Sequence, residues 1–428
     1  MGIISNAFEE LKWRGMIYDH MDGVESLLAN QKVTVYNGFD ATGDSLHVGH
    51  LVPLLALARL QRFGHHAIAL AGGGTSMIGD PSGKSVERNL LSMEIVNQNA
   101  LSIKEQLSHF LDFESKNNPA RVMNNADWLM KLNLVDFLRD IGKHFTVNYM
   151  LSKDSVKNRI EREEGISYTE FSYMLLQSYD FLHLNLNENC MLQTGGSDQW
   201  GNITAGAELV RKVTGKSALG MVYPLITKSD GTKFGKSESG SVWLKAERTS
   251  PYKFHQFWLN TSDSDVINYL RYFTFLNESE INELASDHTQ FPEKRIAHRK
   301  LAHEMTSLVH GETALANALQ AAEVLFGGSL KGLNAVAIEE IFADVPSTEK
   351  IREKILIEKP NILDLLVDTS LVKSKGEGRR SLSEGGIYVN NVRESDPERN
   401  IELSDFLDGK FIVLRKGKKN YHIVRLIS

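Results

Sequence analysis

The sequence runs to 428 residues, which at about 100–200 residues per domain implies two to four domains. Hydrophobic residues make up 42% and charged residues 24%, so collagenous, low-complexity and largely disordered classes are excluded. The formal net charge of −6 gives no overall sign of nucleic-acid binding.

Residues 1–14 carry Glu9 and Glu10 and no basic stretch ahead of an apolar one, so no secretory signal is expected. Asn6 stands where a myristoylation motif needs Ser or Thr. The apolar run 51–58 stops at Arg59, far short of the ~20 residues that span a bilayer, so no membrane association is expected. A single cysteine, Cys190, cannot close an internal disulfide, and no cysteine–histidine group has zinc spacing. These features point to a reducing, cytoplasmic location and to no bound metal.

Short β-rich runs at 33–36, 67–71, 121–124, 191–194 and 221–226 alternate with helical patterns at 51–63, 86–111, 169–182 and 199–213. Such alternation predicts an α/β domain with a mostly parallel sheet covered on both faces. Ligands bind such sheets beyond the carboxyl ends of the strands. Gly38, Gly72-Gly73-Gly74 and Gly195-Gly196 each follow a predicted strand, where backbone must make room for a ligand; any one alone reads as an ordinary turn.

Between the first strand and helix stands His47-Val48-Gly49-His50, which puts two imidazoles on one face of an opening helix. Gly49 lets a flat ligand approach the backbone. Histidines at a helix N-terminus suit a polyphosphate, although a metal pair or two solvated side chains would look the same. The run Gly79-Asp80-Pro81-Ser82-Gly83-Lys84-Ser85 is no nucleotide P-loop, because Ile78 occupies the position of its first glycine. It remains a glycine-rich loop with an acid, Asp80, and cations at Lys84 and Arg88.

In helix 169–182, Tyr173, Gln177 and Asp180 fall at i, i+4 and i+7 on one face of an apolar helix. Each buried polar group left unpaired costs about 1–3 kcal/mol, so a ligand or a neighbouring helix must answer them. Lys228 to Gly240 is rich in Gly, Ser and Lys and predicts a mobile loop whose lysines could close over a polyphosphate, or simply be solvated. Residues 250–330 read as helical. Beyond residue 361 there are 12 Lys/Arg against 10 Asp/Glu, and no acid follows Asp408. A basic end on an acidic chain is a candidate RNA or phosphate surface, or a solvated tail. There, helices at 362–366 and 378–384 and strands at 387–390, 411–414 and 421–426 are expected.

Taken in order, His47-Val48-Gly49-His50, Gly79–Lys84, 171–181, Gly195-Gly196-Ser197-Asp198-Gln199-Trp200-Gly201-Asn202 and Lys233-Phe234-Gly235-Lys236-Ser237 resemble the bacterial-type tyrosyl-tRNA synthetases, a class I aminoacyl-tRNA synthetase family. The first and last match that family's two ATP signatures. Ala41 and Gly43 stand where the family often has Pro and Ala, and Asn37 occupies a variable position near the ribose.

The resemblance implies a tyrosine–tRNA ligase that uses ATP with Mg2+ as substrate, has no permanent cofactor, and works on tRNA(Tyr) as a homodimer. It implies that Thr42, His47, Lys84, Arg88, Lys233 and Lys236 meet the leaving pyrophosphate. Gly38, Asp40, Gly49, His50, Gly196 and Asp198 would hold the nucleotide, with Lys236. Asp80, Tyr173 and Gln177 would take the ammonium of L-tyrosine and Gln199 its carboxyl end, while Tyr36 and an ionised Asp180 meet its hydroxyl.

The implied organisation is a Rossmann-like catalytic domain at 1–230, a mobile loop and connection at 231–247, a helical anticodon-side domain at 248–345, a linker at 346–360, and a ribosomal-protein-S-four-like α+β RNA-binding module at 361–428. In that module Arg379, Arg380, Lys416, Lys418 and Lys419 would face RNA. A catalytically inactive RNA-binding relative and a tryptophanyl-tRNA synthetase-like enzyme are the rival readings.

Overall fold

Val35, Tyr36 and Asn37 are buried in succession, as are Ala67 to Ala71, and unbroken burial of that kind marks strands covered on both faces of a parallel sheet. A computed structural model of the chain describes residues 6–82, 91–161, 165–229, 231, 234–237, 240–325, 327–342, 345–418 and 420–427, without the side chains of 154, 155, 158, 236, 237, 336 and 340. It divides into two compact units, residues 1–309 and 310–428.

In the first unit, strands β1 (Asp19–His20), β2 (Thr34–Phe39), β3 (His66–Ala71), β4 (Arg121–Asn124), β5 (Cys190–Gly196) and β6 (Leu219–Tyr223) form one sheet in the order β1-β6-β5-β2-β3-β4. All neighbours run parallel except β1 against β6. Chain order reverses between β2 and β5, and ligands bind at such a switch point. Helix Leu51–Arg62 buries almost every side chain, including Arg59, whose guanidinium donates to the Thr274 carbonyl at 2.5 Å. Helix Met93–Leu107 starts from a Ser92 cap, later than the expected 86–111; residues 83–90 lie outside the described part. Helix Tyr168–Glu188 is capped by Ser167 and stops at Asn189, which takes the left-handed conformation.

Part of the loop expected at 231–247 takes regular structure. Lys236–Ser237 (β7) pairs with Gly240–Ser241 (β8) as a small hairpin. Phe234 is buried among Phe257, Trp258, Tyr269 and Phe273, stacked on Phe273 at 5.2 Å.

In the second unit, β9 (Ser347–Ile351), β10 (Ile387–Val389), β11 (Val392–Glu394), β12 (Phe411–Lys416) and β13 (Asn420–Ile427) form a sheet ordered β11-β10-β12-β13-β9, with β9 parallel to β13. Alternate residues of β12 serve opposite faces, as the two-residue strand period requires. Ile412 and Leu414 pack with Ile362, Leu366 and Leu382, while Phe411 and Val413 pack with Val324, Ile338 and Phe342. The second face corrects the expected boundaries, since residues from 310 onward complete this unit rather than a helical domain ending at 345. The linker expected at 346–360 is instead β9 and helix Arg352–Glu358, anchored by buried Ile355. Upstream, the helical stretch Ile296–Leu325 is interrupted at Gly311, whose φ of 83° no helix accommodates. Among the described residues no helix is long and apolar enough to cross a membrane.

Candidate active site

Beyond the carboxyl ends of β2 and β5 lies a cavity of about 450 Å3, lined among others by Gly38, Asp40, His47, Gly49, His50, Asp80, Tyr173, Gln177, Gly196, Asp198 and Gln199. Eleven residues singled out from the sequence thus meet in one place. Thr42 is exposed and does not line it. Lys84, Arg88, Lys233 and the side chain of Lys236 lie outside the described residues.

The histidines occupy the turn that opens helix Leu51–Arg62. His47 Nδ1 accepts the Gly49 N–H at 3.0 Å, and His50 Nδ1 accepts the His47 N–H at 3.2 Å. A ring nitrogen that accepts carries no proton, so both neutral imidazoles hold theirs on Nε2 and offer it as a donor. The rings stack at 4.0 Å. A Cβ on Gly49 would sit 2.8 Å from His47 Cε1, so only glycine fits between them. The turn is tied to the segment after the hairpin: Val48 N–H donates to the Val242 carbonyl at 3.0 Å, and Leu244 N–H to the Leu46 carbonyl at 2.9 Å. Gly235, at φ 82°, passes so close that a Cβ there would meet Val48 Cγ2 at 2.8 Å.

Two acids flank the middle of the cavity. Asp40 accepts from Thr75 Oγ1 at 3.3 Å and from the Tyr173 hydroxyl at 3.4 Å, and Gly72 leaves it the space, since a Cβ there would stand 2.5 Å from Oδ1. Asp80 is 6% exposed and accepts from Ser82 N–H at 2.9 Å and Gln199 Nε2 at 2.6 Å. Burial raises its pKa, and those hydrogen bonds oppose the rise. Asn202 joins the network by donating to Gln177 Oε1 at 3.0 Å and Gln199 Oε1 at 3.3 Å. The sequence assigns Asn202 no role, yet it stands three residues after Gln199, one turn on, and that spacing is the available signal.

Tyr36 and Asp180 do not line the cavity; they are 1% and 2% exposed. Asp180 accepts Trp128 Nε1–H at 2.7 Å and Asn125 Nδ2 at 2.9 Å, two partners that sequence reasoning missed. Both follow β4 at its carboxyl end, where site residues of such sheets gather, but nothing local marks them. Burial pushes the Asp180 carboxyl up to about 7 against the two hydrogen bonds. The expectation of a simply ionised Asp180 is therefore corrected: near neutrality the group titrates. Among the described residues the buried Tyr36 hydroxyl has no hydrogen-bond partner, and its pKa is raised by burial and then by the charge of Asp180. Behind the cavity wall, then, a phenol with no partner among the described residues stands beside a carboxyl with lone pairs to spare, an arrangement able to answer one more hydroxyl.

Of the candidate RNA-binding residues, Arg379 and Arg380 are exposed on helix Lys375–Ser383 and Lys418 is exposed in the β12–β13 turn. Lys416 is already paired with Glu377 at 2.5 Å, and Lys419 lies outside the described residues.

Residues 28–327 match the model of the class I tRNA synthetases (W and Y), and residues 337–424 match the tyrosine–tRNA ligase SYY-like C-terminal domain. The tyrosine–tRNA ligase of Roseiflexus castenholzii is 55% identical over 424 residues, 99% of this chain and 100% of that one. Tyrosine–tRNA ligase 1 of Bacillus subtilis is 51% identical over 425 residues, 98% and 99% of the two chains. Among solved structures, a C-terminally truncated mitochondrial tyrosyl-tRNA synthetase of Aspergillus nidulans superposes with a TM-score of 0.69 at 30% identity, over 75% of this chain and 94% of that one. A tryptophanyl-tRNA synthetase of Plasmodium falciparum, at 15% identity and TM-score 0.51, shares the fold over 78% of this chain and 87% of its own. With its switch-point cavity, its paired histidines and matches that span both units, the chain belongs to the class I tRNA synthetases of the tryptophan and tyrosine branch and carries the C-terminal domain of the tyrosine–tRNA ligases.

Proposed function

We propose that the chain is a tyrosine–tRNA ligase that activates L-tyrosine with ATP and transfers it to tRNA(Tyr). The observation that carries the choice of amino acid is the Tyr36 hydroxyl, buried without a partner beside Asp180. An apolar side chain there would leave the Tyr36 hydroxyl unanswered, whereas a phenol can accept from it and donate to a remaining lone pair of Asp180. The fold alone does not select tyrosine over tryptophan; this polar end does.

In the first step the tyrosine carboxylate attacks the α-phosphorus, a new P–O bond forms, and the bond to the bridging oxygen breaks with its electron pair leaving on pyrophosphate. Asp80, Gln177 and Tyr173 suit the substrate ammonium, and Gln199, held by Asn202, its carboxyl end. Asp40 and Asp198 suit the ribose, and Gly38, with nothing within 4 Å of a built Cβ, leaves room for the nucleoside. The Nε2–H donors of His47 and His50 act where charge develops on the phosphates. Thr42, Lys84, Arg88, Lys233 and Lys236 join them by resemblance. ATP enters with Mg2+ as part of the substrate. In the second step a ribose hydroxyl of the 3′-terminal adenosine attacks the tyrosyl carbonyl carbon and AMP leaves.

A homodimer is supported by the surface at 130–151. Helix Leu134–Asp140 buries none of its residues, and Leu134, Val135 and Val147 are 70%, 68% and 61% exposed. Apolar surface of that extent marks an interface with another protein. Arg379, Arg380 and Lys418, all exposed, support RNA binding by the C-terminal unit. Tyrosine-dependent ATP–pyrophosphate exchange, run beside phenylalanine and tryptophan, tests the proposal. Exchange with tyrosine alone supports it; exchange with tryptophan, or with none, refutes it.

A further inference from the structure

Away from the cavity, three potential metal ligands converge in the helical part of the first unit. Asp263 lies in the turn before helix Val266–Phe273, His288 near the end of helix Glu278–Gln290, and His298 at the start of the Ile296–Leu325 stretch. Their donor atoms all lie within 4.8 Å of one another. His298 is fully buried, and its Nε2 stands 3.1 Å from Asp263 Oδ1 without the alignment of a hydrogen bond. Bonds of about 2.0–2.1 Å at the tetrahedral angle put two ligands of one zinc ion about 3.3 Å apart, so this separation fits two donors sharing a cation. His288 Nε2 contacts the Asp263 carbonyl at 3.0 Å. A carbonyl only accepts, so the proton sits on Nε2 and the lone pair on Nδ1; Nδ1 is itself buried and has no hydrogen-bond partner among the described residues. Fixing a histidine tautomer through a carbonyl on its far nitrogen is the usual support of a metal ligand.

We propose that Asp263, His288 and His298 form a binding site for a divalent transition-metal ion of the zinc type. Two imidazoles and one carboxylate suit zinc better than magnesium or calcium, which prefer oxygen donors. Asp263, 63% exposed, leaves the fourth position to water. The ion clamps three helical segments and with them the turn whose Ser262 and Asp265 hold Ser229, since Asp265 Oδ2 accepts from Ser262 Oγ at 2.7 Å and from Ser229 N–H at 3.2 Å. Its role is structural, and it takes no part in the chemistry proposed above.

The test uses the full chain, stripped with a chelator and dialysed against Zn2+, with metal counted by mass spectrometry and Tm measured with and without the ion. One zinc per chain and a raised Tm are expected, and Co2+ in its place should give the visible absorption of a tetrahedral site. Asp263→Asn and His288→Gln alter side chains outside the core, so both fold, and each should weaken zinc binding by at least about tenfold. Absence of stoichiometric zinc, or equal retention by both variants, overturns the site.

Discussion

Replacing Trp128 by Phe removes one hydrogen atom's worth of chemistry from the deepest part of the site. The indole N–H lies 2.7 Å from Asp180 Oδ1, while the ring stacks on His183 at 4.2 Å, a contact that phenylalanine largely keeps. A hydrogen bond to a charged group contributes about 1.5–3 kcal/mol, and 1.36 kcal/mol corresponds to one pKa unit. The Asp180 carboxyl, already at about 7, should therefore titrate roughly one to two units higher in the variant. The proposed arrangement needs ionised Asp180 to accept from the substrate hydroxyl, so tyrosine activation in the parent enzyme should fall as pH drops through about 7. In Trp128→Phe that acid limb moves upward, and at pH 7.5 kcat/KM for tyrosine drops roughly 3- to 25-fold, whereas phenylalanine, which has no hydroxyl to place, changes little. ATP–pyrophosphate exchange between pH 5.5 and 9.5 with both amino acids measures this directly. An acid limb that does not move in the variant, or that appears equally for phenylalanine, would refute the role given to Asp180.

Tyr36→Phe should raise Tm, because a buried hydroxyl without a partner costs about 1–3 kcal/mol, while lowering the tyrosine-to-phenylalanine ratio of kcat/KM; an unchanged ratio counts against the assignment. Lys236→Ala should slow adenylate formation far more than it weakens tyrosine binding, as seen in single-turnover rates against equilibrium titration, and equal losses would contradict a transition-state role. Deleting residues 310–428 should spare tyrosyl-adenylate formation and abolish tRNA charging, whereas deleting 361–428 alone strips the cover from Val324, Ile338 and Phe342 and should cause aggregation, visible by light scattering.

What could be read from the sequence was what neighbours along the chain decide. His47 and His50 share one turn, Tyr173, Gln177 and Asp180 share one helix face, and the buried strands announce themselves by unbroken apolar runs. The partners of Asp180 could not be read, because Asn125 and Trp128 stand 55 and 52 residues away and meet it only through the order of the sheet. Residues 346–360 looked like a linker because β9 exposes alternate residues and buries none, and one isoleucine, Ile355, anchors the helix that follows. The reach of the C-terminal unit back to residue 310 was hidden for a related reason: Val324, Ile338 and Phe342 belong to a helical pattern, and which sheet they cover depends on topology rather than on period.

The parallel pairing of β9 with β13 sets a clock on synthesis. Sixty-eight residues, 352 to 419, lie between the two strands, and β9 pairs with no other. At about 5–20 residues per second the ribosome takes roughly 3–14 s to deliver its partner. Throughout that interval β9 is an unpaired strand on a nascent chain, the kind of edge that recruits other chains. Its sequence, Ser347-Thr348-Glu349-Lys350-Ile351, carries two opposite charges and one large apolar side chain. The polarity that made this segment look like a linker is also what keeps it soluble while it waits.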